Sequence, residues 1–493
     1  MRTKRSLLRW IAAGLIILAS FLAISQLTRY SRIRANFPTG LKIAGIPVGG
    51  LNYELASDRL VKIYMAPIEL HYGENRIQVR PATLGYELRL QNMLAAADQQ
   101  RTSESFWLGF WKYLWNQPIS SEDIPLQSDY DKNRLKAFLE TEIASRYNES
   151  AEPPMPAPGE SYFYPGKEGT AINYDTSIER IIQSLNSPNN RVAKLDIVKS
   201  SSVKPGIELL DYMLHDIINK SRFDGWTEFY LKDLKNGAVL HFNHSKVGEE
   251  ELPVNIAYSA WSTIKIPVLL SAFKYLEEPY DPIVLAQIEE MVEQSDNEST
   301  DFVGKNVIER NLGPLRVSED MRTLGLSNTF WAGYFALGSP LLQNFSTPAN
   351  QDLSYDTDPD RYAQTTPLDL GLLLEEIYYC AKDYGGAIPL AFEGEITQYE
   401  CQLMVEYMAK NRIAVFLQGG VPPETQVAHK HGWAVEYKDG YMHTMGDAGI
   451  FYTPGGDYII SVFIFHPVQA IFDVVNPMVS NLSAAVYNYF NLE

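Results

Sequence analysis

The stretch SAWSTIKIPV, residues 259–268, sets Ser262 three residues before Lys265. A serine hydroxyl becomes a useful nucleophile only with a base in hydrogen-bond reach. On a helix, residues i and i+3 share a face, so Lys265 can sit over Ser262. Lysine serves as a base only when neutral, which requires burial or a neighbouring cation to depress its pKa. The same spacing recurs at Ser201–Lys204 and Ser271–Lys274. Position separates the three. Ser262 follows the strand-like NIAYSAW and opens a helix, Ser271 lies well inside that helix, and Ser201 sits in the polar run KSSSVKP. Only at Ser262 does a helix N-terminus favour negative charge on the serine oxygen.

Two further motifs follow in order. Ser295-Asp296-Asn297 is the only Ser-Asp-Asn in the chain, and Lys430-His431-Gly432 lies on a strand-like run before the last hairpin. Lys-x-Gly also begins at Lys167, Lys235 and Lys438, so the ordered set carries the weight and the tripeptide alone does not. There is no His-Glu-x-x-His and no acidic calcium loop, and His429 and His431 flank a lysine that would repel a metal. No metal and no cofactor is expected. Two cysteines are too few for a disulfide scaffold or a thiolate zinc site. Cys380 ends the helix-like LDLGLLLEEIYYC and Cys401 lies near the start of TQYECQLMVEYM; consecutive helices pack side by side, so a disulfide is expected in an exported domain.

These residues need a scaffold, and the chain is long enough for about three domains at roughly 150 residues each. With 45% hydrophobic and 12% aromatic residues it can bury a sizeable core, and a net charge of −18 argues against nucleic acid. Residues 1–35 hold Arg2, Lys4, Arg5 and Arg9, then the apolar run Trp10–Leu27 of 18 residues (27 − 10 + 1), enough for a single membrane-spanning helix. No good cleavage site follows, so an uncleaved anchor is expected, with the N-terminus cytoplasmic and the body extracytoplasmic. Segments 36–128 and 129–206 are expected as two modules, in which LKIAGIPVGGLNYELASDRL and YFYPGKEGTAINYDTSIERIIQSL each read as strand, glycine turn and amphipathic helix; the proline-rich SAEPPMPAPGES between these two stretches reads as extended linker. The IPVGGL stretch followed by Leu84-Gly85-Tyr86, and PGKEGTAINYDTSIERII, resemble the peptidoglycan-binding modules of exported bacterial cell-wall proteins. The resemblance implies peptidoglycan as a partner; a stalk that merely spaces the next domain from the membrane stays open. Residues 207–493 begin with strands around Asn236-Gly237, continue in helices and end in strands and a helix. That is the α+β order of an antiparallel sheet flanked by helices, its first and last strands adjacent.

The ordered motifs of residues 207–493 resemble the penicillin-recognising serine hydrolases, most closely the class A β-lactamases. NTFWAG, TTPLDLGLLLEEIY and DAGIFYTPGGDYIISVF are similar to their counterparts in that family. The resemblance implies Ser262 as acylated nucleophile, Lys265 as base or proton relay and Ser295 as proton shuttle. It implies that Asn297 orients substrate and Lys265, and that Lys430 supplies positive field. The backbone N–H groups of Ser262 and Trp433 would form the oxyanion hole, worth ~3–4 kcal/mol per donor. His431 and Gly432 complete the substrate-binding strand.

Three departures qualify this. Only 33 residues (295 − 262) separate the first two motifs, so part of the helical region is trimmed. His431 stands where the family carries Ser or Thr; it can donate to a substrate carboxylate and add charge at low pH. The family deacylates with a glutamate before Thr-Thr-Pro, whereas this chain has no glutamate between Glu319 and Glu375 and offers Asp352, Asp356, Asp358 and Asp360 instead. The expected protein is a membrane-anchored serine hydrolase acting on a β-lactam or D-alanyl peptide, with deacylation in question. A D,D-peptidase-like enzyme and a catalytically idle cell-wall-binding protein remain as alternatives.

Overall fold

The computed structural model describes residues 2–117, 122–201, 203–247, 252–411 and 413–492. The chain forms two compact units, Met1–Glu152 with Lys167–Ser202, and Pro153–Gly166 with Val203–Glu493.

The first unit opens with the helix Arg2–Arg34. Among the described residues it is the one helix long and apolar enough to cross a membrane, over Leu7–Arg34 with a mean hydropathy of 2.2. Beyond it, Asn52 and Asn173 cap the helices Tyr53–Tyr64 and Tyr174–Leu185 by accepting from Leu55 N and Thr176 N, the short polar side chain replacing a missing helical partner. The hairpin Ile68–Tyr72 with Asn75–Val79 turns at Gly73, whose φ of 55° suits glycine. A lone hairpin cannot bury a core. Val192–Lys194 therefore adds as a parallel third strand beside Ile68–Tyr72, and one cluster joins Leu70, Tyr86, Leu135, Ile181 and Leu185. The sheet thus crosses the boundary at 128/129 expected from sequence. A second cluster gathers Phe37, Val48, Leu60, Met93, Leu94 and Ile124.

The second unit is built on five antiparallel strands, β1 (Trp226–Asp233), β2 (Val239–His244), β3 (Gln426–Trp433), β4 (Thr444–Tyr452) and β5 (Tyr458–Phe465), in the order β2-β1-β5-β4-β3. The first strand pairs with the last, as the order of elements predicts. Every residue of β5 is buried, and its sequence YIISVFIF is accordingly an apolar run broken only by Ser461 rather than an alternating one. One face is covered by Lys265–Tyr275, Pro282–Glu293, Pro367–Asp383 and Gln398–Ala409, the other by Ile207–Lys220 and Phe472–Phe490. The proline-rich join does not stay extended. Met155–Pro156 pairs with Phe163–Tyr164, Gly159 N donates to Asp216 at 2.6 Å, and the Phe163 ring lies 6.2 Å from Tyr489. Burying that aromatic ring favours docking over solvation.

Cys380 and Cys401 form a disulfide with Cα atoms 5.8 Å apart, closing a separation of 21 residues between two packed helices. A loop of that size restricts the unfolded chain enough to contribute about 3 kcal/mol. Chemical denaturation of the Cys380→Ala/Cys401→Ala variant should show a loss of that order relative to the oxidised protein. Equal stability would mean that helix packing alone holds this region.

Candidate active site

Ser262 lies in the 3₁₀ turn Trp261–Ile264, which runs from the two-residue strand Tyr258–Ser259 into the helix Lys265–Tyr275. The strand is held by Ala363–Thr365, which also pairs with Phe330–Trp331. Just before the serine, Trp261 has φ of 45°, a left-handed conformation costly for a bulky residue. Ser262 is half-buried, and Lys265 is fully buried.

The Lys265 ammonium reaches Ser262 Oγ at 2.9 Å, the Ser295 carbonyl at 3.0 Å and Asn297 Oδ1 at 2.7 Å. Of these three, only the serine hydroxyl can reverse its role and donate. A neutral amine would keep its two N–H groups on Ser295 and Asn297 and accept from Ser262. Burial and then the Lys430 charge push Lys265 well below the usual lysine range, against the pull of Asp296 and Asp301. Both of the routes to a neutral lysine are therefore present.

The Ser-Asp-Asn motif divides its work. Ser295 has φ of 60°, another left-handed non-glycine, and meets Lys265 through its carbonyl rather than its hydroxyl. Asp296 caps the helix Asn297–Val303 by accepting from Ser299 N at 2.6 Å. Asp301 accepts from Phe335 N at 2.8 Å and Ala336 N at 2.9 Å, fixing the Phe335 ring with its centroid 4.8 Å from Lys265 Nζ.

The third motif touches the serine turn through backbone. A Cβ at Gly432 would lie 2.7 Å from Ser262 N and 2.8 Å from Thr263 N, so only glycine permits this approach. Lys430 is buried, donates to the His431 carbonyl at 3.1 Å, and is pushed by burial down to about 8. It does not hydrogen-bond Ser262; it acts on the site through charge.

His431 corrects an expectation. Burial, with Lys430 next, holds its imidazole down at about 3, so it adds no charge under mildly acid conditions. Its Nδ1 lies 3.3 Å from Asn411 Nδ2 and its ring stacks on Trp433 at 4.7 Å. With Nδ1 accepting from that amide, the neutral ring carries its proton on Nε2 and offers one donor there. Behind the strand, His429 Nδ1 meets Asp447 at 2.9 Å and its Nε2 meets Gln418 Oε1 at 3.0 Å, while Leu417 N donates to Asp447 at 3.2 Å. Asp447 and Asn411 were not legible as site residues, because neither lies in a motif; the alternation of His429, Lys430 and His431 was the available signal.

Neither of the other two Ser-x-x-Lys pairs makes the Ser262–Lys265 contact. Ser271 Oγ donates to Asp320 at 2.7 Å, Lys274 pairs with Asp320 at 2.6 Å, and Ser201 is exposed. The loop aspartates make turns and ion pairs. Asp352 accepts from Ser354 N, Asp356 from Asp358 N and Asp360 from Tyr362 N, while Asp358 pairs with Lys438 at 2.6 Å. Among the described residues no carboxylate hydrogen-bonds Ser262 or Lys265.

Residues 283–490 match the family model described as the beta-lactamase enzyme family. The β-lactamase-like match takes in Ser295, Asn297, Lys430 and Gly432 and begins after Ser262 and Lys265, which stand on the geometry above. Solved structures similar to the chain include PBP-A, 18% identical, covering 57% of this chain and 95% of that one at a TM-score of 0.39. The TLA-1 extended spectrum β-lactamase is 16% identical, with 58% and 99% covered and a TM-score of 0.40. A representative class A β-lactamase from Bacteroides cellulosilyticus DSM 14838 is 17% identical, with 58% and 98% covered and a TM-score of 0.40. No curated protein matches the chain.

Proposed function

We propose that this chain is a membrane-anchored, extracytoplasmic β-lactamase-like serine hydrolase whose Ser262 is acylated by a β-lactam or related D-alanyl peptide and whose acyl-enzyme is released slowly. The observation that carries the reading is the 2.9 Å contact between Ser262 Oγ and a buried Lys265 whose pKa is driven well down. Neutral Lys265 takes the hydroxyl proton as Oγ bonds to the amide carbon. The carbonyl oxygen takes up the negative charge against the N–H groups of Ser262 and Trp433. The C–N bond then breaks, and Ser295 relays a proton to the leaving nitrogen. Lys430 attracts a substrate carboxylate, Asn297 orients Lys265 and substrate, and the His431-Gly432-Trp433 edge receives the substrate backbone.

Exposure to a penicillin followed by digestion and mass spectrometry tests the site. The adduct is expected on the peptide containing Ser262; acylation at another serine, or none, would refute the assignment and leave the cell-wall-binding alternative. The D,D-peptidase-like reading is favoured by one observation, that the loop aspartates are committed elsewhere. The anchor helix orients the C-terminal unit outside the cytoplasm, with residues 36–206 as stalk or peptidoglycan-binding segment.

The two lysines give acylation a pH signature. As pH rises, Lys265 loses its proton and the rate climbs through that lowered pKa. Above about 8, Lys430 loses its charge and the rate falls. The acylation rate should therefore be bell-shaped, and Lys430→Arg, whose guanidinium stays charged, should lose the alkaline limb. An unchanged alkaline limb in that variant would remove Lys430 from the scheme.

A further inference from the structure

The segment FWLGFWKYLW, residues 106–115, holds six aromatic side chains in ten residues, and most of it forms the helix Phe106–Leu114. Its two faces are used differently. Phe106, Phe110 and Tyr113, spaced one helical turn apart, place their rings 5.3, 5.5 and 5.4 Å from the ring of Tyr30 on the N-terminal helix. Gly109 faces the same way, and any Cβ there would collide with the Tyr30 hydroxyl. Tyr113 donates to Gln26 Oε1 at 3.0 Å, Arg34 donates to the Glu104 carbonyl at 2.8 Å, and Arg101 donates to the Arg34 carbonyl at 2.8 Å. This short helix is thus strapped to the last turns of the N-terminal helix.

The opposite face is bare. Trp107, Trp111 and Trp115 are 68%, 60% and 65% exposed, with Leu108 and Leu114 between them. A soluble monomer does not leave such a stripe in water without a partner. The position of the stripe identifies the partner. The apolar run Trp10–Leu27 is about 27 Å long at ~1.5 Å per residue, close to the ~30 Å hydrocarbon thickness. Gln26 and Tyr30, which hold the aromatic helix, therefore mark the edge of the hydrocarbon layer. Tryptophan, with an apolar ring and one N–H donor, is the residue enriched at that depth. The exposed Arg29 and Arg32 put cations on the same stretch, where phosphate headgroups lie. At nine residues the aromatic helix is too short to cross a bilayer, so it can only lie along its surface.

We propose that Phe106–Leu114 is an interfacial membrane helix that seats Trp107, Leu108, Trp111, Leu114 and Trp115 in the headgroup–acyl boundary beside the emerging anchor. This rests on the anchor reading of the N-terminal helix. The partner is a lipid surface, and its role is to fix the segment that follows the anchor at a set depth.

The test uses the full-length chain in vesicles of phosphatidylcholine and phosphatidylglycerol whose acyl chains carry bromine either near the headgroup or near the bilayer centre. Retention through an alkaline carbonate wash reports the anchor, and tryptophan quenching reports the helix. Three of the eight tryptophans lie on the exposed stripe. Shallow bromine should quench the wild type at least about twofold more than the Trp107→Phe/Trp111→Phe/Trp115→Phe variant, with deep bromine less effective on both. Retention with equal quenching of both proteins would overturn the proposal while leaving the anchor intact, and would point to water or a protein on that face. Loss of the protein in the wash would overturn the anchor reading itself, and the proposal with it.

Discussion

Ser262→Ala should abolish penicillin acylation, and Lys265→Arg should slow it by about 10³-fold, a barrier of ~4 kcal/mol at 1.36 kcal/mol per decade. The arginine variant is the informative one. It keeps a cation between Asn297 and Ser295 but cannot give up its proton. A lysine that only held those groups in place would be replaced by arginine at modest cost. A lysine that accepts the Ser262 proton would not. Uptake of a fluorescent penicillin into wild type and variant, each followed over time, distinguishes the two. Acylation of Lys265→Arg at close to the wild-type rate would mean that another group takes the proton.

The second large effect lies in the step after acylation. Hydrolysis of an ester on Ser262 needs a water deprotonated at the acyl carbon, and no carboxylate hydrogen-bonds either member of the Ser262–Lys265 pair among the described residues. Asp360 is tied to the strand before the serine turn through its backbone N, which donates to Ser259 Oγ at 2.8 Å, while its carboxylate accepts from Tyr362 N. Deacylation slower than acylation by about 10³-fold corresponds to ~4 kcal/mol on the second barrier. The Asn variants of Asp352, Asp356, Asp358 and Asp360, made singly, should leave the adduct lifetime unchanged. A variant whose adduct lives tenfold longer would identify that aspartate as the base.

The sequence made some of this legible because local chemistry sufficed. Asn236-Gly237 marked the β1–β2 hairpin, since Gly237 takes φ of 77° there. The i, i+3 spacing brought Lys265 to Ser262 even though the turn is 3₁₀, in which such residues also stack. What stayed hidden depended on burial and on backbone direction. His431 read as a titratable donor, yet its enclosure by Asn411 and Trp433 keeps it neutral. Ser295 read as a proton shuttle through its hydroxyl; that its left-handed backbone also brings its carbonyl to Lys265 is not encoded in the tripeptide. In the first unit, the pairing of Val192–Lys194 with Ile68–Tyr72 joins segments more than a hundred residues apart, which no local pattern encodes.

The central claim is an acylated Ser262 that outlives the encounter with its substrate, and intact-mass spectrometry over time tests it most directly. After mixing with excess penicillin, the chain should gain the mass of one whole penicillin, since ring opening releases no fragment. The adduct should persist after free drug is removed, with Ser262→Ala staying at its original mass throughout. Rapid consumption of many equivalents of penicillin by a chain whose mass never changes would contradict the account.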